Sequence, residues 1–304
     1  MLKRVSEVLK IRDGEKHEEN QYLNLIEDVL NYGEEVKGRN GTSKTIFGAT
    51  MLFDLSTGHI PFLTTKQLAW KTCAKELFWF IKGSTDNKEL QDNNVKIWNG
   101  NSSRDYLDSI GLTERAENDL GPVYGFQWRH FNASYESCKE DYSNKGIDQL
   151  NEIINNLKHP ENKYSRRLIL TAWNPCQLKL MALPPCHLLA QFNVIGNKLS
   201  CSMYQRSADL GLGVPFNIAS YSLLTILLAN HCNLELGDFV YYLGNVHIYD
   251  DHYKELEKQL ERKPYAFPKI NIKNKYENIN DYSIEDLEIN DYKFYPKIVM
   301  EMRK

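Results

Sequence analysis

The sequence predicts a mixed α and β chain folded as one domain, and three observations carry that reading. Tyr22, Leu23, Ile26, Val29 and Leu30 recur at helical spacing from Gln21 onward. Residues 187–194 and 199–206 flank the turn Ile195-Gly196-Asn197-Lys198, which makes a plausible hairpin. An apolar stretch at 218–229 follows Pro215 and is long enough for an interior helix. The 304 residues fit one large domain or two small ones, and neither an internal repeat nor a Pro/Gly-rich linker divides them.

Composition narrows the class of protein. Hydrophobic residues make up 42% and charged residues 25%, an ordinary soluble globular balance. A net charge of −3 argues against a nucleic-acid-binding surface but leaves room for a local basic pocket. The stretch 218–229 is interrupted by Ser220, Ser222 and Thr225, so it is read as an interior helix and not a bilayer span. Met1-Leu2-Lys3-Arg4 leads into mixed charge with no apolar run, so no secretory leader is expected. Six cysteines lie scattered without C-x-x-C spacing, which suggests neither a zinc site nor a disulfide framework and fits a reducing cytosol.

In chain order, residues 1–20 are polar and charged and read as a tail, with the domain proper at 21–304. After the first helix, residues 38–45 are rich in Gly, Asn and Thr and read as a loop before Ile46. Thr64-Thr65-Lys66 offers an N-cap for a helix running to about Ile81. Glu76 falls inside that helix on a face shared with Cys73 and Phe80; a carboxylate there needs a partner or a raised pKa. Trp98 lies in a loop after Val95. An amphipathic helix is expected at 147–157 and a strand at 168–173. Residues 239–249 alternate as a strand, and a charged helix follows at 250–263.

The chemistry concentrates around Leu183-Pro184-Pro185-Cys186-His187. The prolines force an extended backbone and remove two amide donors. In the hairpin, Cys186 stands at the start of one strand and Arg206 at the end of the other, so pairing brings thiol and guanidinium together. Positive charge beside a thiol favours the thiolate, the nucleophilic form. A lone cysteine is more often a small buried hydrophobe. Gln205-Arg206-Ser207-Ala208-Asp209 and Gly211-Leu212-Gly213-Val214-Pro215-Phe216-Asn217 complete the pattern: an arginine, then a Gly-rich turn opening a helix.

These segments resemble the nucleophile and nucleotide-binding segments of the thymidylate synthase family, most closely its monofunctional eukaryotic type, and the similarity runs from about Gln21 to Met302. The resemblance implies a single α/β (α+β) domain with a large mixed sheet flanked by helices, dimerising through the sheet face. It implies reductive methylation of dUMP to dTMP, a methyltransferase reaction using 5,10-methylenetetrahydrofolate as one-carbon and hydride donor, without a metal. Residue by residue, it assigns catalysis to Cys186, Glu76, Tyr124, Asp209 and Arg206. Nucleotide binding falls to Arg39, Arg206, Ser207, Asp209, His187, Asn217, His247 and Tyr249, with Arg166 and Arg167 reaching a neighbouring subunit's site. Folate contacts fall to Ile97, Trp98, Asn101, Asp209, Leu212, Phe216 and Met302.

Three departures from the family pattern stand out. The Arg39 loop is one residue shorter, Asn245 replaces an aspartate, and Arg303 and Lys304 stand where the family ends in a small apolar residue. The last two are expected to face the folate's glutamate tail. A cytoplasmic location follows, with the nucleus as an alternative, and no fused reductase domain is expected. Other readings of the same residues are a pyrimidine hydroxymethylase that finishes with water, an inactive nucleotide-binding homologue, and a thiol protease, which explains none of the arginines.

Overall fold

Asn20–Tyr32 forms helix α1, which buries Tyr22, Leu23, Leu25, Ile26 and Val29, the face its spacing predicts. The computed structural model describes residues 17–38 and 40–303; residues 1–16, Arg39 and Lys304 lie outside the described residues. Six strands form the main sheet: β1 (Glu34–Gly38), β2 (Gly41–Asp54), β3 (Ile169–Thr171), β4 (His187–Ile195), β5 (Lys198–Asp209) and β6 (Glu235–Tyr249). Their order is β1-β2-β6-β5-β4-β3. Neighbours pair antiparallel except β5 and β6, which run parallel. A parallel pair needs a crossover, and the helix between these strands supplies it.

Between β2 and β3 lie α2 (Trp70–Ile81), α3 (Asn87–Asp92), α4 (Arg104–Ser109), α5 (Gly125–His130) and α6 (Gln149–Lys158); the crossover helix is α7 (Gly213–His231). Helix α8 (Tyr253–Leu260) and a small hairpin of β7 (Lys269–Ile272) and β8 (Leu287–Asn290) follow. Helix α7 is long and apolar enough to cross a membrane by length and composition, yet nearly every residue of it is buried against α2, β5 and β6. It is the interior helix that its apolar sequence predicts.

Two expectations are corrected. The expected loop at 38–45 is mostly strand: Ser43, Lys44 and Thr45 pair with Tyr249, Ile248 and His247, and the Thr45 hydroxyl donates to the Val246 carbonyl at 3.0 Å. β-Branched Thr suits that ladder, and Asn40 is a turn residue before it. Thr64 and Thr65 do not cap α2, which begins at Trp70. Their hydroxyls and amides instead donate to the Glu19 carboxylate at 2.6–3.0 Å. Glu19, read with the tail, is fully buried and belongs to the packed domain.

That carboxylate gathers four donors, so truncating it strands several buried polar groups. Glu19→Ala is expected to lower unfolding stability by about 3 kcal/mol, read from the urea midpoint. A loss under about 0.5 kcal/mol, the size of an ordinary surface change, would show the cluster to be dispensable.

Candidate active site

The thiol and guanidinium meet as the hairpin predicts. The Arg206 amide donates to the Cys186 carbonyl at 2.9 Å. Its Nε donates to the Pro185 carbonyl at 2.8 Å and its Nη2 to the Pro184 carbonyl at 2.9 Å, with Nη2 3.9 Å from Cys186 Sγ. The guanidinium also lies over the Trp173 ring, 5.6 Å from its centre. A register break between His187 and Leu189 interrupts the pairing of β4 with β5 beside the cysteine.

Burial pushes the Cys186 thiol up, while the Arg206 charge and the Tyr124 hydroxyl pull it down; the net position is above the ordinary thiol value. The sequence reading expects a depressed thiol. One guanidinium, already donating to two carbonyls, does not outweigh the desolvation.

Tyr124 Oη accepts the Cys186 amide at 2.8 Å. The Tyr124 backbone sits at φ +24°, a region L-residues rarely adopt, and such strain is characteristic of functional positions. The next residue must be glycine because a Cβ at Gly125 would come 2.5 Å from the Phe80 carbonyl oxygen. That close approach of α5 to α2 holds the tyrosine in place. Its ring stacks on His187 at 4.2 Å and meets Trp98 edge-on at 5.9 Å. His187 Nδ1 is 2.9 Å from Tyr221 Oη, and burial pushes its pKa down to about 3, so it is neutral. It backs the tyrosine from inside the fold.

Glu76 Oε1 accepts from Trp98 Nε1 at 2.7 Å, giving the carboxyl its partner. Burial still raises it to about 7, the Trp98 hydrogen bond opposing the rise. The neighbouring Cys73 Sγ is 3.4 Å from the Phe216 carbonyl, which ties α2 to the start of α7.

Asp209 Oδ1 accepts the Gly211 amide at 2.8 Å, shaping the turn into α7. Buried Lys66 donates to the Gly211 carbonyl, and Tyr22 Oη donates to the Leu210 carbonyl at 2.7 Å. The turn is thus pinned from below. Asn217 is half-buried in the first turn of α7, its Oδ1 near Gly213, and among the described residues no hydrogen bond engages its amide. Ser207 pairs in register with Asn245. Asn245 Oδ1 faces His247 Nδ1 at 3.0 Å while its Nδ2 donates to Thr45 Oγ1 at 2.8 Å. The amide therefore orients the imidazole in the aspartate's place. His247 and Tyr249 meet edge-on at 5.1 Å.

Ile97, Asn101, Leu212 and Phe216 are half-buried, Trp98 is buried and Met302 is exposed. Arg166 and Arg167 are exposed just before β3, and among the described residues neither has a contact with Cys186; Gln191 Nε2 donates to the Arg166 carbonyl at 3.1 Å. Arg303, expected at the folate's glutamate tail, has its guanidinium engaged by Asp250 and Asp251. Trp173, Tyr221 and His252 were missed. Nothing local in their sequence marks them, because each acts through a partner at least 33 residues away. Among the described residues no group of three or more His, Cys, Asp or Glu side chains is arranged to hold a metal.

A mixed α/β domain sets a cysteine between an arginine and a tyrosine, beside a Gly-rich turn and an open amide, an arrangement suited to thiol chemistry. The chain belongs to the thymidylate synthase family, whose family model matches residues 20–304. It is 51% identical to human thymidylate synthase, over 96% of this chain and 93% of that protein. It is 54% identical to a bifunctional dihydrofolate reductase-thymidylate synthase of Paramecium tetraurelia, over 95% of this chain, and 50% identical to one of Arabidopsis thaliana, over 99%. The chain spans 62% and 53% of the length of those two bifunctional relatives.

Proposed function

We propose that the protein converts dUMP to dTMP, a methyl transfer in which 5,10-methylenetetrahydrofolate supplies both the one-carbon unit and the hydride. The observation that carries this reading is the Arg206–Cys186–Tyr124 arrangement. Carbon 5 of uracil is a weak nucleophile until a group adds at carbon 6. Cys186 adds there through sulfur, and the electron pair moves onto the ring carbonyl, making carbon 5 nucleophilic. Because the thiol is held above its ordinary pKa, the thiolate that adds is a minor form near neutrality, its proton having passed to water.

Glu76, at about 7, exchanges a proton readily near neutrality and is suited to moving protons at the carbonyl. Tyr124 is raised well above the ordinary phenol value by burial, so it assists removal of the carbon 5 proton while staying protonated, through an ordered water. Asp209, with the half-buried apolar Ile97, Leu212 and Phe216 and the exposed Met302, suits a pterin: a polar ring edge on a flat apolar body. Asn101 and Trp98 would border it.

Arg206 and Ser207 would bind the phosphate, together with Arg39 and a neighbouring subunit's Arg166 and Arg167. A homodimer through the outer face of the sheet is part of the proposal. Phe47, Ile169, Tyr204 and Tyr242 are exposed on strands, and a pair of exposed arginines just before β3 suits a shared site. A cytosolic location agrees with six free cysteines.

The test supplies dUMP and the folate and follows dihydrofolate absorbance together with the nucleotide product. Dihydrofolate and dTMP in equal amounts are expected. Tetrahydrofolate with hydroxymethyl-dUMP would replace this reading with the hydroxymethylase one.

Base choice gives a second test. The Asn217 amide can donate to a uracil carbonyl and accept from the ring N–H, whereas cytosine presents the reverse pattern. Asn217→Asp is therefore expected to lower the preference for dUMP over dCMP by about 10²-fold or more in kcat/KM. An unchanged ratio would remove Asn217 from base recognition.

A further inference from the structure

The last described residues are moored at two places to a single short segment, the one joining β6 to α8. Buried His252 sets Nε2 2.8 Å from the Glu301 carbonyl and Nδ1 4.0 Å from Asp209 Oδ1. Arg303 makes the second mooring. Its Nη2 lies 2.7 Å from Asp250 Oδ1 and 3.0 Å from Asp251 Oδ1, and its Nε donates to Asp251 Oδ2 at 3.1 Å. The same guanidinium lies over the Tyr249 ring at 5.6 Å and donates through Nη1 to the Asn40 carbonyl at 3.2 Å. The approach to that turn passes over Gly41, at φ +108°, where a Cβ would stand 2.5 Å from Nη1.

We propose that Arg303 is a positioning residue that clasps the terminal segment, the Tyr249 ring and the β1–β2 turn into one moving part. A single exposed ion pair would hold little. Here one planar fork satisfies two carboxylates, a carbonyl and an aromatic face at once, the use to which a guanidinium is suited and an ammonium is not. The clasp joins three parts of the chain: Asn40 before β2, the end of β6 with the two aspartates after it, and the last residues. Release of the clasp at one end therefore loosens the other. The Arg303 side chain keeps 29% of its exposure and those of Asp250 and Asp251 46% and 36%, so salt reaches the clasp and weakens it.

The kinetic consequence rests on the function proposed above. On that reading Met302 borders the folate and Tyr249 the nucleotide, so the clasp makes nucleotide binding and folate binding favour each other. That coupling is reciprocal by linkage.

The test begins without substrates, on the full chain, by hydrogen exchange in wild type, Arg303→Gln and Arg303→Lys. In Arg303→Gln, peptides from 297–303 and from the 34–54 hairpin are expected to exchange about tenfold faster together. Arg303→Lys should restore part of the protection. About 0.5 M potassium chloride should reproduce the effect in wild type and add nothing in Arg303→Gln. If only the terminal peptide responds, or if salt acts equally on both proteins, the clasp is overturned.

In turnover, Arg303→Gln should raise the folate KM about tenfold with kcat changed less than about threefold. A fall in kcat at unchanged KM would also overturn it. If the protein shows no turnover of dUMP, the proposed function fails while the exchange result still decides the clasp.

Discussion

Cys186→Ser is expected to remove turnover by a factor on the order of 10⁴–10⁶, the cost of deleting a nucleophile, while dUMP still binds. Serine keeps the shape of the loop, since the Arg206 contacts go to the carbonyls of residues 184–186 and the Tyr124 hydroxyl accepts a backbone amide. What is lost is a polarizable sulfur that can ionise within reach of neutral pH. The 5-fluoro analogue of dUMP gives the complementary result. Fluorine at carbon 5 cannot leave as a cation, so the step that would remove hydrogen there stalls and the sulfur–carbon 6 bond persists. With the folate present, a stable adduct is expected at Cys186 alone. Cys201 is buried inside β5, and among the described residues no arginine lies against the sulfur of the exposed Cys176. Mass mapping of the adduct to either residue would refute the assignment of the nucleophile.

Glu76→Gln is expected to separate activity from stability. The glutamine can still accept from Trp98 Nε1, so α2 should pack unchanged. It cannot carry a proton between the ring carbonyl and water, and turnover should fall by about 10²–10⁴. Stability should move the other way. The native carboxyl titrates at about 7, above the unfolded value of 4.5. Between those two pH values the native state holds a proton that the unfolded state has lost, so wild-type stability falls as pH rises through the window and levels off above it. Glutamine has no such dependence. At pH 8 the variant should therefore be more stable than wild type by on the order of 2 kcal/mol, and the gap should close towards pH 4.5. Equal melting temperatures at both pH values would show that the carboxylate is not strained in the native state.

Much of this was legible in the sequence because the signals were local or paired across a short turn. The first helix, the β4–β5 hairpin and α7 follow from spacing, and the hairpin register alone brings Cys186 to Arg206. The raised carboxyl follows from a lone glutamate on an apolar helical face. What escaped were choices made by distant partners. The two threonines carry a capping signature, and a buried carboxylate 45 residues earlier takes their hydroxyls instead. The thiol sits above its ordinary pKa because burial is a property of the assembled fold. Arg303 was expected to face a ligand because its two aspartates, 52 and 53 residues back, could not be seen to converge on it.

The pairing of β2 with β6 has a consequence for how the chain is made. Thr45 bonds to Val246 across 201 residues, and among the described residues β6 alone joins the β1–β2 ribbon to the rest of the sheet. On a ribosome, β1 and β2 emerge early and wait with an open edge until residue 249 has cleared the exit. At roughly 5–20 residues per second that wait lasts on the order of ten seconds or more. Contacts of such separation also close slowly, because the intervening chain must be ordered first. The part of the site built on His247 and Tyr249 is consequently a late product of folding, and the ribbon's edge stays open until then.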